Sequence, residues 1–349
     1  MFTSLSLSLL IPLFILASAA IWLSGIQLSN TTDIIDTRFG LGEAFGGLIF
    51  LAISTNLPEI AIVVSAALYN NPGIIIGNIL GGIAIQTVVL VILDGFGLRK
   101  LGALTYMAAS LQIILEGLLV IFVLVIAIMG TQFPSYVIFK HIAPADLLIF
   151  ISWIIGLYLI YKARKGLPWH KKGRALGTLP ITKKVRQEKI ANKSTSATIL
   201  TFTLAALITL VAGVILEESS KAIAVSIGWS SVLFASTILA AVTALPEIST
   251  GLAAVKIGDY TMAFSDIFGG NAFLPVLFFP ATLLWGKAIL PQAHNTDIYL
   301  AGLGILLTVI YIFGLIFRPK RQFFYLGIDS FAVLIVYTVG IIGLFLITD

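Results

Sequence analysis

Two short segments of the chain place a proline and a glutamate side by side within an apolar run. The first is TNLPEI, residues 55–60, and the second is TALPEI, residues 243–248. A proline inside a helix removes a hydrogen bond, and an ionised carboxylate at the bilayer centre costs about 3 kcal/mol on insertion scales. Backbone carbonyls released by a broken helix can bind a hard cation together with carboxylate oxygens. The two segments therefore predict a cation site with Glu59 and Glu247 as its charged ligands.

The two segments belong to a longer internal repeat. At the same offset of 188 residues, GNILGGIA at 77–84 aligns with SDIFGGNA at 265–272. A single offset shared by all the paired positions over about 30 residues argues against a chance local match. The repeat predicts that the chain contains two related halves.

Several polar residues of the repeat are further candidate cation ligands: Thr55, Thr243, Asn56, Asn78, Gln86, Asp266 and Asn271. The threonines could supply a hydroxyl or a carbonyl oxygen, or could instead bond back to their own helix. Asp266 is either a site carboxylate or a loop-facing aspartate. The amide side chains are equally suited to hydrogen bonds between helices. Glu43 and Glu116 have no duplicate, and a pathway role and a structural role are both open for them.

The composition indicates that the bilayer is the main solvent of this chain. Of its 349 residues, 59% are hydrophobic and only 11% are charged, against about 25% charged in a typical soluble domain. The absence of cysteine excludes disulfides and thiolate metal sites. The three histidines fall in polar connecting stretches, which argues against histidine ligation inside the membrane. The net charge of +5 is better explained by basic cytoplasmic loops than by a nucleic-acid partner.

Ten apolar segments are long enough to span the bilayer, and helices are the expected spanning element. They lie near residues 6–28, 41–69, 73–96, 103–129, 144–162, 197–217, 228–256, 260–286, 297–317 and 325–347. We therefore expect an all-α membrane protein with ten transmembrane helices.

Basic residues predict the orientation of these helices. The stretch 162–193 holds 11 of the 21 lysines and arginines, and it is expected in the cytoplasm. With ten spans, both termini then lie outside, in what we expect to be the plasma membrane. The predicted organisation is a first five-helix repeat at 1–161 with its motif near 44–91, a basic cytoplasmic loop at 162–196, and a second five-helix repeat at 197–349 with its motif near 232–279.

Five spans per half is an odd number, so the two halves must insert with opposite orientation. Helices 2 and 7 are then antiparallel, and we expect them to be broken at Pro58 and Pro246. Inverted repeats with interrupted helices in corresponding positions are typical of secondary transporters with a binding site near the bilayer midplane.

At these residues the chain resembles the Ca²⁺:cation antiporter superfamily, which includes sodium/calcium and proton/calcium exchangers. Its members have ten helices in two inverted halves, each with a G-T-S-L-P-E type motif and then a G-N-x-x-G-S-N-x-x-N type motif. Glu59 and Glu247 match the paired acidic ligands of that family. Thr55 and Thr243 match its motif threonines.

The chain departs from the family pattern at several other ligand positions. Asn56 and Ala244 replace the motif serine, and Gly82 and Gly270 replace the later serine. Gln86 and Leu274 replace the final Asn or Asp of the motif. Asp266 replaces the earlier asparagine in the second repeat. These departures remove oxygen ligands expected of a three-sodium exchanger.

The resemblance implies a secondary antiporter that exchanges Ca²⁺ for Na⁺ or H⁺ by alternating access, with helices 1 and 6 sliding against the rest. The same fold could instead carry Mg²⁺ or Mn²⁺, or exchange Na⁺ for H⁺. A channel is less favoured, because the polar residues cluster at one depth. An enzyme is not expected, since no nucleophile–base pair or phosphate-binding motif is found. The expected partners are inorganic cations and the lipid bilayer, without a cofactor.

The absence of native cysteines makes the predicted topology testable by labelling. Cysteines introduced at Ser4, Ser194 and Thr348 should react with an impermeant thiol reagent from outside, inside and outside, respectively. The measurement is labelling in intact cells compared with inverted vesicles. Labelling of Ser194 from the same side as the termini would contradict the ten-span topology.

Overall fold

The structure is a computed structural model that describes residues 2, 5–39, 50, 53–98, 102–108, 110–134, 142–165 and 194–347, without the side chains of residues 33, 36, 37, 164 and 165. Most of the predicted basic loop, together with Glu43, Ser4 and Thr348, lies outside the described residues.

The first half contains six described helices. They are α1 (Leu7–Phe39), α2 (Leu57–Leu68), α3 (Pro72–Ile92), α4 (Leu104–Ala108), α5 (Leu111–Gly130) and α6 (Pro144–Lys165). A π-helical segment, Leu93–Leu98, continues α3.

The second half contains eight helices and one hairpin. The helices are α7 (Thr195–Ile227), α8 (Ser231–Phe234), α9 (Ala240–Thr243), α10 (Leu245–Lys256), α11 (Tyr260–Phe273), α12 (Phe278–Trp285), α13 (Asn295–Phe317) and α14 (Ile328–Ile347). A π-helical segment, Ala235–Leu239, joins α8 to α9, and 3₁₀ turns lie at Leu274–Leu277 and Leu290–Gln292. Between α13 and α14, β1 (Gln322–Phe323) pairs antiparallel with β2 (Leu326–Gly327), Gln322 opposite Gly327 and Phe323 opposite Leu326.

The chain is an all-α membrane protein, as predicted. Within the described ranges, nine helices or runs of consecutive helices are apolar and long enough to cross a bilayer. The remaining predicted span, 41–69, contains α2, but its residues 41–49, 51 and 52 are not among those described. The count of ten therefore stays a prediction.

The repeat offset of 188 residues recurs in the bounds of the helices. Both α1 and α7 have 33 residues, and adding 188 to the ends of α1 gives the ends of α7. The same relation joins α2 to α10, which have 12 residues each. The two halves therefore share their local structure as well as their motifs.

The helices α1 and α7 extend well beyond the predicted spans, which ended at residues 28 and 217. At 1.5 Å per residue, each is about 50 Å long, and the hydrocarbon core is about 30 Å thick. The prediction stopped where each apolar run stops, whereas the helices continue through polar residues, and α7 ends only at Gly228 in the left-handed conformation. In the interior, Ser24 of α1 and Thr209 of α7 share a hydrogen bond of 2.7 Å.

The second and seventh predicted spans, which contain α2 and α10, are broken, as predicted. The interruptions lie at Asn56 and Ala244, and the following segments α2 and α10 each begin with a proline in their first turn. Each break comes two residues before its proline because the ring of Pro58 or Pro246 clashes with the preceding turn. The N–H group that proline lacks does not remove a hydrogen bond from α2 or α10, because first-turn N–H groups have no partner within their helix.

The helix α3 is the most buried of the long helices and is apolar on all sides, as expected of a helix in the core. It lies directly against the broken helix of the other half. A Cβ atom at Gly77 would lie 2.8 Å from the carbonyl oxygen of Val232, and one at Gly81 would clash with Ser236. These glycines allow the two backbones to approach.

A larger side chain at Gly213 should destabilise the fold. A Cβ atom there would clash with Ala61, so α7 packs closely on α2, whereas a Cβ atom at Gly302 in α13 has nothing within 4 Å. Overpacking costs about 1–3 kcal/mol, so Gly213→Leu should lower the midpoint of thermal unfolding in detergent by several degrees. Gly302→Leu is the matched control and should leave the midpoint unchanged. Equal midpoints for the two variants would contradict close packing of α7 on α2.

Candidate cation site

Glu59 lies in the first turn of α2, directly after the break in helix 2. Its side chain is fully buried, and its Oε1 accepts a hydrogen bond of 3.1 Å from Nε2 of Gln86. Its Oε2 has no hydrogen-bond partner, and the side chain of Thr243, from the other half, faces the carboxylate. The N-terminal end of a helix favours a negative charge, so the break itself helps to hold the carboxylate.

Glu247 has the equivalent position in the first turn of α10. It is 5% exposed, and its Oε2 has no hydrogen-bond partner. The charges of Glu59 and Asp266 both act on it. Two buried carboxylates that repel one another require compensation by positive charge or by protons. The pair therefore has the electrostatics of a cation site.

Asp266 is half-buried on α11 and is tied to the helix that carries Glu247. The hydroxyl of Thr250 donates a hydrogen bond of 3.1 Å to Oδ2 of Asp266, and it lies 3.3 Å from the carbonyl oxygen of Glu247. Sequence reasoning missed Thr250 because it follows the motif, and its counterpart in the first repeat is Ile62. The search for duplicated polar residues could not have found it.

Asn56 and Gln86 approach each other at Gly270. A Cβ atom at Gly270 would lie 3.5 Å from the amide of Asn56 and 3.6 Å from Oε1 of Gln86. Asn56 is buried, and its Nδ2 lies 3.3 Å from Oγ1 of Thr55. These polar atoms of the first half therefore gather around the break that leads to Glu59.

The equivalent position in the second half is occupied by hydrocarbon. Leu274 is the repeat counterpart of Gln86, and its Cδ1 lies 3.4 Å from the place of a Cβ atom at Gly82. The site is thus asymmetric: one half supplies an amide where the other supplies a leucine side chain.

The threonines and the remaining amides have different surroundings. Oγ1 of Thr243 donates to the carbonyl of Ala240, 3.1 Å away, although its oxygen can still accept or bind an ion. Nδ2 of Asn271 lies 3.1 Å from Oγ1 of Thr87 and 3.4 Å from the carbonyl of Ile83, which fits hydrogen bonding between helices. Asn78 is buried without a hydrogen bond, so no hydrogen bond ties it to the glutamates.

Glu217 is a buried carboxylate that sequence reasoning missed. It accepts a hydrogen bond of 2.6 Å from Nδ2 of Asn71 and one of 3.1 Å from Oγ of Ser65. These bonds tie α7 to α2 and to the turn that precedes α3. The sixth predicted span ended at residue 217, and the continuation of α7 past that residue places Glu217 inside the protein. The lack of glycine or proline between Glu217 and Gly228 was the available signal.

Glu116 is linked to the neighbourhood of Asp266. Its Oε1 accepts a hydrogen bond of 2.7 Å from Nε2 of Gln112, which also lies 3.4 Å from Oγ of Ser265. The polar residues around Asp266 thus extend to α5.

A metal ion at this site would need oxygen atoms from several residue types. Among the described residues, no three Asp, Glu, His or Cys side chains are grouped closely enough to hold a metal ion. The two glutamates would therefore have to be joined by hydroxyl, amide or backbone oxygens, which Ca²⁺ accepts readily.

The fold and the site together define the class of this protein. Two related halves, each with a broken helix that carries a buried glutamate at the contact between the halves, are the features of an inverted-repeat ion transporter. A family described as sodium/calcium exchanger protein matches residues 9–162 and 197–343. The chain belongs to this family, and so to the Ca²⁺:cation antiporter superfamily that its motifs resemble.

The chain is similar to a known protein in sequence and to solved structures in fold. The inner membrane protein YrbG of Escherichia coli (strain K12) is 25% identical over 295 residues, which are 84% of each chain. The solved structure of the H⁺/Ca²⁺ exchanger CAX superimposes with a TM-score of 0.63 at 12% identity and covers 97% of this chain and 86% of its own. The sodium-calcium exchanger NCX_Mj gives 0.58 at 19% identity, with coverage of 97% and 99%. These solved relatives are exchangers.

Proposed function

We propose that the chain exchanges Ca²⁺ for Na⁺ or H⁺ by alternating access to a site between Glu59 and Glu247. The observation that carries the proposal is the pair of buried carboxylates at the two helix breaks, each with an oxygen that has no hydrogen-bond partner. Two negative charges match a divalent cation, and oxygen ligands without sulfur or imidazole suit Ca²⁺.

The nearby polar atoms are the further ligands of the proposed site. The hydroxyl or carbonyl oxygens of Thr55 and Thr243, and the amide oxygens of Asn56 and Gln86, belong to the residues around the two breaks. Calcium takes six to eight oxygen ligands in flexible geometry, so carboxylates alone would not complete its shell. Asn78 and Asn271 belong to the same repeat and are further candidate cation ligands, although the hydrogen bonds of Asn271 favour a role in helix packing.

Competition for the same carboxylates accounts for exchange. A site that holds either Ca²⁺ or the coupling ions, and that opens to one side at a time, moves one in exchange for the other. With the basic loop at 162–193 in the cytoplasm and both termini outside, the pathway connects the cytoplasm with the exterior of the plasma membrane.

Leu274 bears on the coupling ion. It cannot coordinate a cation where sodium/calcium exchangers have an acidic or amide residue. Asp266 lies two helical turns earlier, about 12 Å along the axis, too far to take over that ligand position. We propose that the chain binds fewer sodium ions than a three-sodium exchanger, and that Asp266 gathers cations at the entrance or carries a proton.

Flux in sealed vesicles tests the function directly. Purified protein should move Ca²⁺ against its gradient when an imposed Na⁺ or H⁺ gradient drives that ion across the membrane in the direction opposite to Ca²⁺. Mg²⁺ and Mn²⁺ should be measured in parallel. Movement of Ca²⁺ only down its own gradient, unaffected by Na⁺ and H⁺, would instead indicate a channel. Coupled movement of Mg²⁺ or Mn²⁺ without Ca²⁺ would assign another cargo.

The paired glutamates are expected to be essential for exchange. Glu59→Gln and Glu247→Gln should each reduce Ca²⁺ flux about tenfold or more, because one carboxylate compensates a dehydrated divalent ion too weakly. Flux is measured in vesicles that contain equal amounts of monodisperse protein. Asp146→Asn is the control, since it removes a buried carboxylate at the start of α6, and it should retain flux. Near-normal flux in either glutamine variant would refute the site.

Asp266 is expected to confer pH dependence. In the parent protein, Ca²⁺ exchange should strengthen as the pH rises, because loss of a proton frees the carboxylate for a cation. Asp266→Asn removes the titrating group and should flatten the pH profile of exchange. Asp259→Asn is the control on the same helix, because Asp259 caps α11 through the N–H of Met262 and asparagine caps equally well. A profile unchanged in Asp266→Asn, with third-order activation by sodium in the parent, would contradict this role.

A further inference from the structure

Two buried aspartates from distant parts of the chain meet at one end of α3. Asp94 lies in the π-helical segment that continues α3, and Asp329 lies in the first turn of α14. Asp94 is fully buried and Asp329 is 5% exposed. Neither belongs to the repeat motifs, and the proposed exchange uses neither.

The two carboxylates converge on Gly327 at the end of the β-hairpin. The N–H of Gly327 donates a hydrogen bond of 2.7 Å to Oδ2 of Asp94, and the N–H of Leu104 donates one of 2.8 Å to Oδ1. A Cβ atom at Gly327 would lie 2.5 Å from Oδ1 of Asp329 and 3.1 Å from Oδ2 of Asp94. The other oxygen of Asp329 packs directly on Gly314. Only glycine at these two positions leaves room for both carboxylates.

Asp329 has nearby donors that are poorly aligned: besides Thr105, the backbone N–H groups of Asp329 and Ser330 face its carboxylate. Neither oxygen of Asp329 accepts a hydrogen bond of normal geometry, and the fully buried hydroxyl of Thr105, which faces this carboxylate, also has no such bond. The hydroxyl of Ser330 faces Asp94 and lies 3.3 Å from the hydroxyl of Tyr311. The hydroxyl groups of Thr105 and Ser330 therefore face the two carboxylates, and their oxygen atoms have lone pairs that can also bind a cation.

The basic residue at the end of α13 is engaged elsewhere. The guanidinium group of Arg318 donates a hydrogen bond of 2.9 Å to the carbonyl oxygen of Tyr106 and lies 5.0 Å from the centre of its ring. The charge of Asp329 acts on Asp94, and within the described part of the chain neither aspartate forms an ion pair. Two buried carboxylates without a basic partner require a proton or a cation between them.

The carboxylate at the equivalent place in the other half of the fold has a different hydrogen-bond partner. The repeat counterpart of Asp94 is Thr282, whose hydroxyl donates to Oδ2 of Asp146 in the first turn of α6. That end of the molecule thus has one carboxylate and a hydroxyl donor. At the Asp94 end two carboxylates lie together, and Asp94 accepts its hydrogen bonds from the N–H groups of Gly327 and Leu104.

We infer that Asp94, Asp329 and the hydroxyl oxygens of Thr105 and Ser330 bind a hard divalent cation such as Ca²⁺, at a site separate from Glu59 and Glu247. Two carboxylates and two hydroxyls are oxygen ligands that such a cation prefers. Asp94 lies eight residues beyond Gln86, about 12 Å along the helix axis. On the proposed topology the site is at the cytoplasmic end of α3, so its occupancy follows the cytoplasmic concentration of the ion.

Equilibrium dialysis with radioactive Ca²⁺ tests the site in the full chain. In a background with Glu59→Gln and Glu247→Gln, which removes both proposed midplane carboxylates, the detergent-solubilised protein should still bind about one Ca²⁺ per chain. Adding Asp329→Asn or Asp94→Asn should weaken that binding about tenfold or more, because half of the ligand charge is removed. Adding Asp146→Asn, the matched change at the other end, should leave binding unchanged.

Two results would overturn the inference. Absence of Ca²⁺ binding in the monodisperse double-glutamine background would mean that the aspartates share a proton. Binding that persists unchanged in Asp329→Asn would place the ion elsewhere. If the asparagine variants are not monodisperse, Thr105→Val decides, since it removes one ligand without changing charge, and it should weaken binding several-fold. Because dialysis requires no transport, its outcome is independent of the exchange measured in vesicles.

Discussion

The repulsion between the buried carboxylates of Glu59 and Glu247 is the constraint on which the rest of the site depends. Each carboxylate is placed at the N-terminal end of a half-helix, where the helix dipole favours negative charge, and Gln86 donates a hydrogen bond to Glu59. These contacts offset only part of the cost of burying two like charges, and each glutamate keeps an oxygen with no hydrogen-bond partner. The helix breaks, the polar residues around them and the close packing of α3 all help to hold this unfavourable pair in place.

Packing between the halves determines how near the breaks can come to each other. The glycines of α3 bring its backbone against the second half, where Gly81 leaves no room for a Cβ atom beside Ser236. The two helix breaks and the turn at Leu274–Leu277 each have a local cause in a proline. Pro275 has no N–H to donate to the carbonyl of Asn271, and the 3₁₀ turn Leu274–Leu277 lies at this point. At these three places the irregular backbone belongs to buried residues, where other protein groups surround it, as a bilayer requires.

The sequence was sufficient to predict the helical membrane fold, the repeat and the two breaks, because each depends on local signals: long apolar runs, a single offset of 188 residues and a proline in each motif. The same signals led to Glu59, Gln86 and Asp266. The ends of α1 and α7 were not predictable from apolar length, since a helix can continue through polar residues that are packed inside the protein, as in α7 beyond residue 217. Thr250 and Glu217 were missed for a different reason. Their hydrogen-bond partners are set by tertiary packing between helices. The repeat counterparts of Thr250 and Glu217 are Ile62 and Ser29, so neither residue is duplicated.

The hydrogen bonds of Glu217 have a mechanical consequence. The bond to Asn71 is 2.6 Å long and the bond to Ser65 is 3.1 Å long, and these side-chain bonds join α7 to α2 and to the turn before α3. Displacement of α7 along its axis by a single residue is a movement of about 1.5 Å, enough to break both bonds and leave a buried carboxylate without donors. Both hydrogen bonds are therefore lost together when α7 moves along its axis. The resulting energy barrier favours the present axial position of the helix, and the Glu217 side chain contributes to it.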